Sequence, residues 1–434
     1  MNRRSPLRRL FTHPVRWKRL VLAGLVLALV LGLAVSLALL AWPTRHSPPP
    51  TAQASTIQAS NGGFAGLGRA ADGFTQARPG QALRFPKDHG AHPGFRTEWW
   101  YLTANLHDDN GRPLGVQWTL FRQALAPPAA HQGTSDEAGT TPTPPASATN
   151  PWTSNQLWMA HAAVSQGDQH VVAERLSRGS TGGLAGPAGV RAEPFAAWID
   201  DWQMTGTAHA TADALSQLSV TAMLDDTSGY RLTLTAEGPL VAHGEAGFSQ
   251  KAADGQGSYY YSQPFYRVEG DVTLNGATHR VSGQAWLDRE WSSQLLGEAQ
   301  QGWDWLSLHL ADGTKLMAFR LRGGASVEGA KERPGKGKTG DYLSGSLIST
   351  EGTLTPLGPT ELSLTPLAES SVAGRRLPTR WRLEVPGHGL DLTVAARDPK
   401  RWMTTQVPYW EGAVTVEGPD GRPRGEGYLE MTGY

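Results

Sequence analysis

The chain has 434 residues, with 39 Lys+Arg balanced by 39 Asp+Glu and no cysteine. The lack of cysteine excludes disulfides, thiolate metal sites, cysteine nucleophiles and a lipoprotein cysteine. The zero net charge hides an asymmetry. Seven basic residues precede Leu20 and no acid appears before Asp72, so the remainder is formally about −7, which argues against nucleic acid as a partner.

Residues 1–19 hold that basic cluster, and Leu20 to Ala41 follow without a charge. At roughly 1.5 Å per residue this run spans about 33 Å, enough for a bilayer core of about 30 Å. The positive-inside rule then predicts a signal anchor over 20–42, with residues 1–19 in the cytoplasm. The expected location is a single-pass inner-membrane protein with its C-terminal domains in the periplasm. A cleaved signal peptide, giving a secreted protein, is the competing reading. The run is long for that, and the nearest A-x-A site, Ala52-Gln53-Ala54, lies far beyond it.

Residues 43–75 are rich in Pro, Ala, Ser and Gly and predict a flexible linker. Beyond them Gly and Pro punctuate short alternating runs such as YRLTLTAE (230–237) and GAVTVEG (412–418), and no long 3.6-period segment appears. The class is all-β. A first β domain is expected over 76–258, with a polar, Pro-rich disordered insertion at 126–151. A second is expected over 259–434, with a Gly/Lys-rich loop at 323–341. That loop contains the letters GxGxxG, but no strand precedes them and no helix follows, so no nucleotide site is implied.

Two strands repeat a pattern. In FRTEWWYLTANL (95–106) one face presents Trp99, Tyr101, Thr103 and Asn105; in GWDWLSLHL (302–310) it presents Trp303, Trp305, Ser307 and His309. Each is followed by an Asp/Asn/Gly turn and a second strand, which is hairpin chemistry. The two domains are therefore read as related antiparallel barrels, an arrangement that also removes sheet edges.

The densest titratable motif is Trp286-Leu-Asp288-Arg-Glu290-Trp291, where Asp288 and Glu290 share a face with Trp286. Two such carboxylates beside an indole suit a general acid, or else pair with Arg to fix the register. Glu98 is a third candidate acid. It lies on an apolar face, where a charge must be paired or neutralised; Arg96 is the local partner, with Arg289 or Arg320 available across the structure. Asp88, His89 and His92 have the residue types of a metal site, but Gly and Pro in that segment leave no helix to fix the histidines, and no metal or cofactor is expected. Trp99, Trp100, Tyr101, His161, Trp286, Trp291, Trp303 and Trp305 are the candidate ligand-binding residues, because Trp lines apolar cavities while keeping a usable N–H. No GxSxG elbow, HExxH helix or P-loop is present.

FPKDHGAHPGFRTEWWYLTANL (85–106), MAHAAVS (159–165), ERLSRG (174–179), AWLDREWSSQ (285–294) and GWDWLSLHL (302–310) resemble the AttH-type, carotenoid 1,2-hydratase-like lipocalin family, also described as predicted secreted hydrolases. The resemblance implies two tandem lipocalin-like barrels, a hydrophobic ligand and, from the setting of some members, an ABC-transporter permease as partner. It also implies, as one activity, addition of water to a terminal C=C bond. Three readings follow: a carrier of a lipid- or isoprenoid-type ligand, a hydratase or hydrolase using a carboxylate acid, and a structural double barrel without a small ligand.

Overall fold

A computed structural model describes residues 67, 71–128, 154–179, 186–206, 213–297, 299–323 and 341–434. The expected anchor (20–42), nearly all of the linker, most of the 126–151 insertion and the body of the 323–341 loop lie outside the described residues. No described helix is long and apolar enough to cross a membrane.

The fold is all-β, in two antiparallel sheets. The first contains β1 (Thr97–Asp108), β2 (Pro113–Ala124), β3 (Gln156–Gln166), β4 (Gln169–Arg178), β5 (Ala188–Arg191), β6 (Ala196–Ile199) and β7 (Trp202–Gly206). It continues with β8 (Gln217–Met223), β9 (Gly229–Ala236), β10 (Val241–Ala242), β11 (Phe248–Gln250), β12 (Gly257–Leu274) and β13 (Ala277–Ser292). The second contains β14 (Gln300–Leu310), β15 (Lys315–Gly323), β16 (Tyr342–Ile348), β17 (Leu354–Leu357) and β18 (Ser363–Val372). It is completed by β19 (Arg375–Val385), β20 (Leu390–Ala396), β21 (Trp402–Met403), β22 (Tyr409–Glu417) and β23 (Pro423–Met431).

In the first sheet the order is β4-β3-β2-β1-β13-β12-β9-β8-β7-β6-β5, and β6 returns against β3 and β4, so the sheet is a nearly closed barrel. In the second it is β17-β16-β15-β14-β23-β22-β20-β19-β18. The first sheet runs on past the expected boundary at 258/259. β12 and β13 form a hairpin over Asn275 and Gly276, both at positive φ (50° and 82°), as an Asn-Gly turn requires. β13 then pairs with β1 from Thr97↔Ser292 to Asp108↔Val281. The chain passes to the second sheet only between Ser292 and Gln300.

Period-2 alternation gives each sheet two faces. Trp100, Leu102, Ala104 and Leu106 of β1 point into the first core, and Leu306, Leu308 and Leu310 of β14 into the second. Each fully buried Leu contributes about 1.5–3 kcal/mol through area removed from water. The opposite faces are not left to solvent. They meet each other, packing Tyr101, Tyr260 and Trp286 of the first sheet against Trp305, Phe319 and Tyr428 of the second.

Candidate functional site

Between those faces lies a cavity of about 230 Å³. Trp99 and Tyr101 of β1, Thr119 and Phe121 of β2, Met159 and His161 of β3 and Asp288 and Glu290 of β13 form one wall. Trp303 and Trp305 of β14, Phe319 of β15, Tyr409 of β22 and Glu430 of β23 form the other. The two aligned strands thus present the same face to the same space: Trp99 and Tyr101 from one side, Trp303 and Trp305 from the other. The Tyr101 and Trp305 rings meet edge to face, with centroids 5.2 Å apart.

Asp288 is 2% exposed. Trp286 Nε1 donates to its Oδ1 at 2.6 Å, Tyr260 Oη donates to Oδ2 at 2.9 Å, and the Ser262 hydroxyl donates to Oδ1. All three donors are neutral. Burial therefore outweighs the hydrogen bonds and, with a smaller repulsion from Glu290, pushes the Asp288 carboxyl up to about 7. The result is a carboxylic acid that keeps its proton close to neutrality inside an aromatic cavity. Glu290, two residues along the same face, is paired instead, with Lys251 Nζ at 2.8 Å and the Ser258 hydroxyl. Lys251 sits 4.1 Å from the centroid of Phe319 and 5.0 Å from that of Tyr260.

The facing wall holds a second acidic pair that has no obvious sequence motif. Glu411 is fully buried; Tyr101 Oη donates to its Oε1 at 2.6 Å and Gln117 Nε2 to its Oε2 at 2.5 Å. Burial, and then the neighbouring Glu430, raise its carboxyl well above the usual range. Glu430 reaches the cavity, where Trp303 Nε1 donates to it at 2.8 Å. Burial is the first cause that pushes it up to about 7; the Trp303 and Tyr101 hydrogen bonds oppose the rise, and Asp288 and Glu290 add to it. Since Glu430 is only partly covered, an apolar occupant that displaces cavity water strengthens its rise. The only signal for this pair is an aromatic two residues before each acid, Tyr409-Trp-Glu411 and Tyr428-Leu-Glu430. That spacing puts ring and carboxyl on one strand face.

The other candidates are placed elsewhere. Glu98 lies on the barrel side of β1, fully buried, with Arg122 and Arg289 guanidiniums on its two oxygens. Burial opposes its charge, but Arg289 and Arg122 prevail and hold it far below the usual carboxylate range. Its partners are cross-strand neighbours from β2 and β13; Arg96 and Arg320 are not among them. Trp100 and Trp291 belong to the first core and not to the cavity wall, because their positions alternate to the barrel side. Both serve the ion pair: Arg289 lies 3.8 Å from the Trp100 ring centroid and 4.8 Å from that of Trp291. Trp286 stands behind Asp288 as a hydrogen-bond donor. His92 hydrogen-bonds to Asp88 and Glu98, each at 3.2 Å, while His89 bonds to Tyr261 Oη and Asp213. Among the described residues no three metal-ligating side chains converge.

Comparison with known proteins agrees with this architecture. The family model described as AttH-like matches residues 76–434. The crystal structure of an AttH protein from Nitrosomonas europaea is 30% identical, with a TM-score of 0.64 over 83% of this chain and 100% of that one. Kievitone hydratase from Nectria haematococca, 14% identical, superposes with a TM-score of 0.57 over 83% of this chain and 98% of its own, a likeness of fold alone. No curated protein matches the chain. With a family match over nearly all of the described residues and a lipocalin-type fold, the chain belongs to the AttH-like family.

Proposed function

We propose that the protein is an envelope protein, anchored by the apolar run at 20–42, that takes an unsaturated isoprenoid- or lipid-type molecule between its two sheets and hydrates it. The observation that carries the reading is Asp288, a buried carboxyl pushed up to about 7 in a cavity walled by Trp99, Tyr101, Trp303 and Trp305. An apolar wall selects an apolar molecule, and a neutral acid within it can protonate a C=C bond. Asp288 gives its proton to one alkene carbon and becomes a carboxylate. The positive charge left on the other carbon faces aromatic rings that favour it. Water then adds to that carbon, and the proton it sheds returns to the Asp288 carboxylate, leaving an alcohol and the starting acid. The likeness to a protein named kievitone hydratase supports the fold, and the hydratase reading rests on Asp288.

The test uses the full chain in detergent, squalene as probe and isotopically labelled water. Wild type is expected to show Trp-fluorescence quenching by squalene and labelled alcohol in the extract. Asp288→Asn keeps the quenching and loses about 10²–10⁴-fold in product. Quenching without product in the wild type would leave a carrier, the version of this proposal in which the ligand is passed to an ABC-transporter permease. Absence of quenching would remove the cavity as a ligand site.

A further inference from the structure

Glu430 is connected to the molecular surface by side chains alone. Its carboxyl lies beside the Tyr101 hydroxyl, which favours its charged form, and Tyr101 Oη lies 2.6 Å from Glu411 Oε1. The Tyr409 hydroxyl lies beside Glu411. Tyr409 Oη lies 3.0 Å from His161 Nδ1, and His161 Nε2 lies 3.1 Å from Glu174 Oε1. Glu174 is the outer end, with its side chain 18% exposed and Gln406 N donating to it. Every group in the series can both accept and release a proton. The series crosses the seam three times, from β23 to β1, from β1 to β22, and from β22 to β3, before it ends on β4.

We propose that this series is a proton relay, and that through it Glu430 acts as a second acid/base of the cavity, exchanging protons with solvent while an apolar molecule fills the space. The proposal rests on the hydratase reading for its catalytic use, but not for the relay itself. Two proton arrangements satisfy the inner atoms equally. In one, Glu411 donates to Tyr409 Oη, Tyr409 donates to His161 Nδ1, and Nε2–H of His161 donates to Glu174. In the other, the Glu411 proton has passed to Tyr409 Oη and the phenolic proton to His161 Nδ1, leaving a Glu411 carboxylate and an imidazolium beside the Glu174 carboxylate. Two protons each shift by one link, which carries one charge from Glu411 to His161, and the same exchange through Tyr101 links Glu411 to Glu430. The groups facing these carboxyls are Asp288 and Glu290 from β13, Tyr101 from β1, Gln117 from β2, Trp303 from β14 and Tyr409 from β22. Two cations also line the cavity, but Lys251 is paired with Glu290 and Arg122 with Glu98. For hydration, Glu430 as carboxylate takes the proton that the attacking water sheds, and a proton drawn back through the cavity restores the Asp288 carboxyl, so that the starting acid is regenerated and no net proton is consumed.

The experiment is a stopped-flow pH jump on the full chain with n-decane filling the cavity, a probe that cannot be hydrated. The protonated-carboxyl infrared band that Glu430→Gln removes is followed in time. Tyr409→Phe, which keeps the ring and deletes the relay hydroxyl, is expected to slow that band by at least about tenfold, with its pH midpoint much less affected. His161→Phe is expected to do the same from the next position. Rates matching wild type in both variants would overturn the relay. So would a shifted midpoint with an unchanged rate, since that marks a structural role. Squalene hydration is not measured here, so either result stands apart from the fate of the hydratase reading.

Discussion

Glu98 and Asp288 are buried to the same degree, on strands that are hydrogen-bonded neighbours, and they end in opposite protonation states. Glu98 faces the barrel interior, where two guanidiniums meet it, and stays ionised down to strongly acid pH. Asp288 faces the seam, where it meets a phenol, an indole and a hydroxyl, and keeps its proton up to about 7. Burial raises both; the charge of the donors decides between them. The lesson is that removal from water does not make a carboxyl an acid catalyst. Removal from water without a cation leaves it holding its proton close to neutrality, and a one-residue step along β13, from Asp288 to Arg289, separates the two environments.

The comparison can be broken first on the Glu98 side. Glu98→Gln leaves Arg122 and Arg289 buried without their counter-charge, and a loss of about 3–5 kcal/mol is expected in urea unfolding at neutral pH. The depressed folded value means that the Glu98 contribution is fully present above the usual 4.5 and fades as the pH falls below it. The difference between variant and wild type should therefore shrink only in strong acid.

Asp288 should behave in reverse. Its folded value is raised, so its contribution is fully present below the usual 3.8 and is lost as the pH rises through to about 7. Asp288→Asn removes a group that disfavours folding at high pH, and a gain of roughly 2 kcal/mol is expected at pH values well above 7, fading toward acid. Unfolding curves at several pH values check the sign; a loss of stability in alkali would mean that Asp288 is stabilised by a charge partner after all. The smallest effect concerns the cavity wall. Trp305→Phe shortens one aromatic surface and deletes the 3.1 Å hydrogen bond to Tyr260. A weakening of about 1 kcal/mol, roughly fivefold in Kd, is expected for squalene by fluorescence titration.

Much of this was legible in the sequence. The alternation in WWYLTANL and WDWLSLHL separates core side chains from cavity side chains, and it places Asp288 and Glu290 on one side of β13 and Arg289 on the other. The repeat sets Trp99 beside Trp303 and Tyr101 beside Trp305, and all four line the cavity. What period-2 patterning does not contain is the identity of whatever covers a face. Trp100 and Trp291 read as well as Trp99 does for a ligand wall, and only the pairing of sheets separates them. The buried ion pair recurs in the second sheet at a shifted place. Asp304, aligned with Trp100 and not with Glu98, meets Arg320 and Arg322, so residue-by-residue alignment hides it. Glu411 and Glu430 each stand among apolar neighbours on their strands, brought together by the β22–β23 ladder at Glu411↔Glu430. The sequence also did not show that the Asn275-Gly276 hairpin joins two long strands that pair in the same sheet as β1.

The cavity lies at a seam, so its size is not fixed by any single hydrogen-bonded ladder. A barrel that encloses its ligand must bend or part strands to admit a larger one. Here a small rotation of one sheet against the other changes the gap while both ladders stay intact, and Tyr101–Glu411, Trp305–Tyr260 and His161–Tyr409 act as elastic ties across it. The width of the gap then depends on these ties as well as on the side chains that line it.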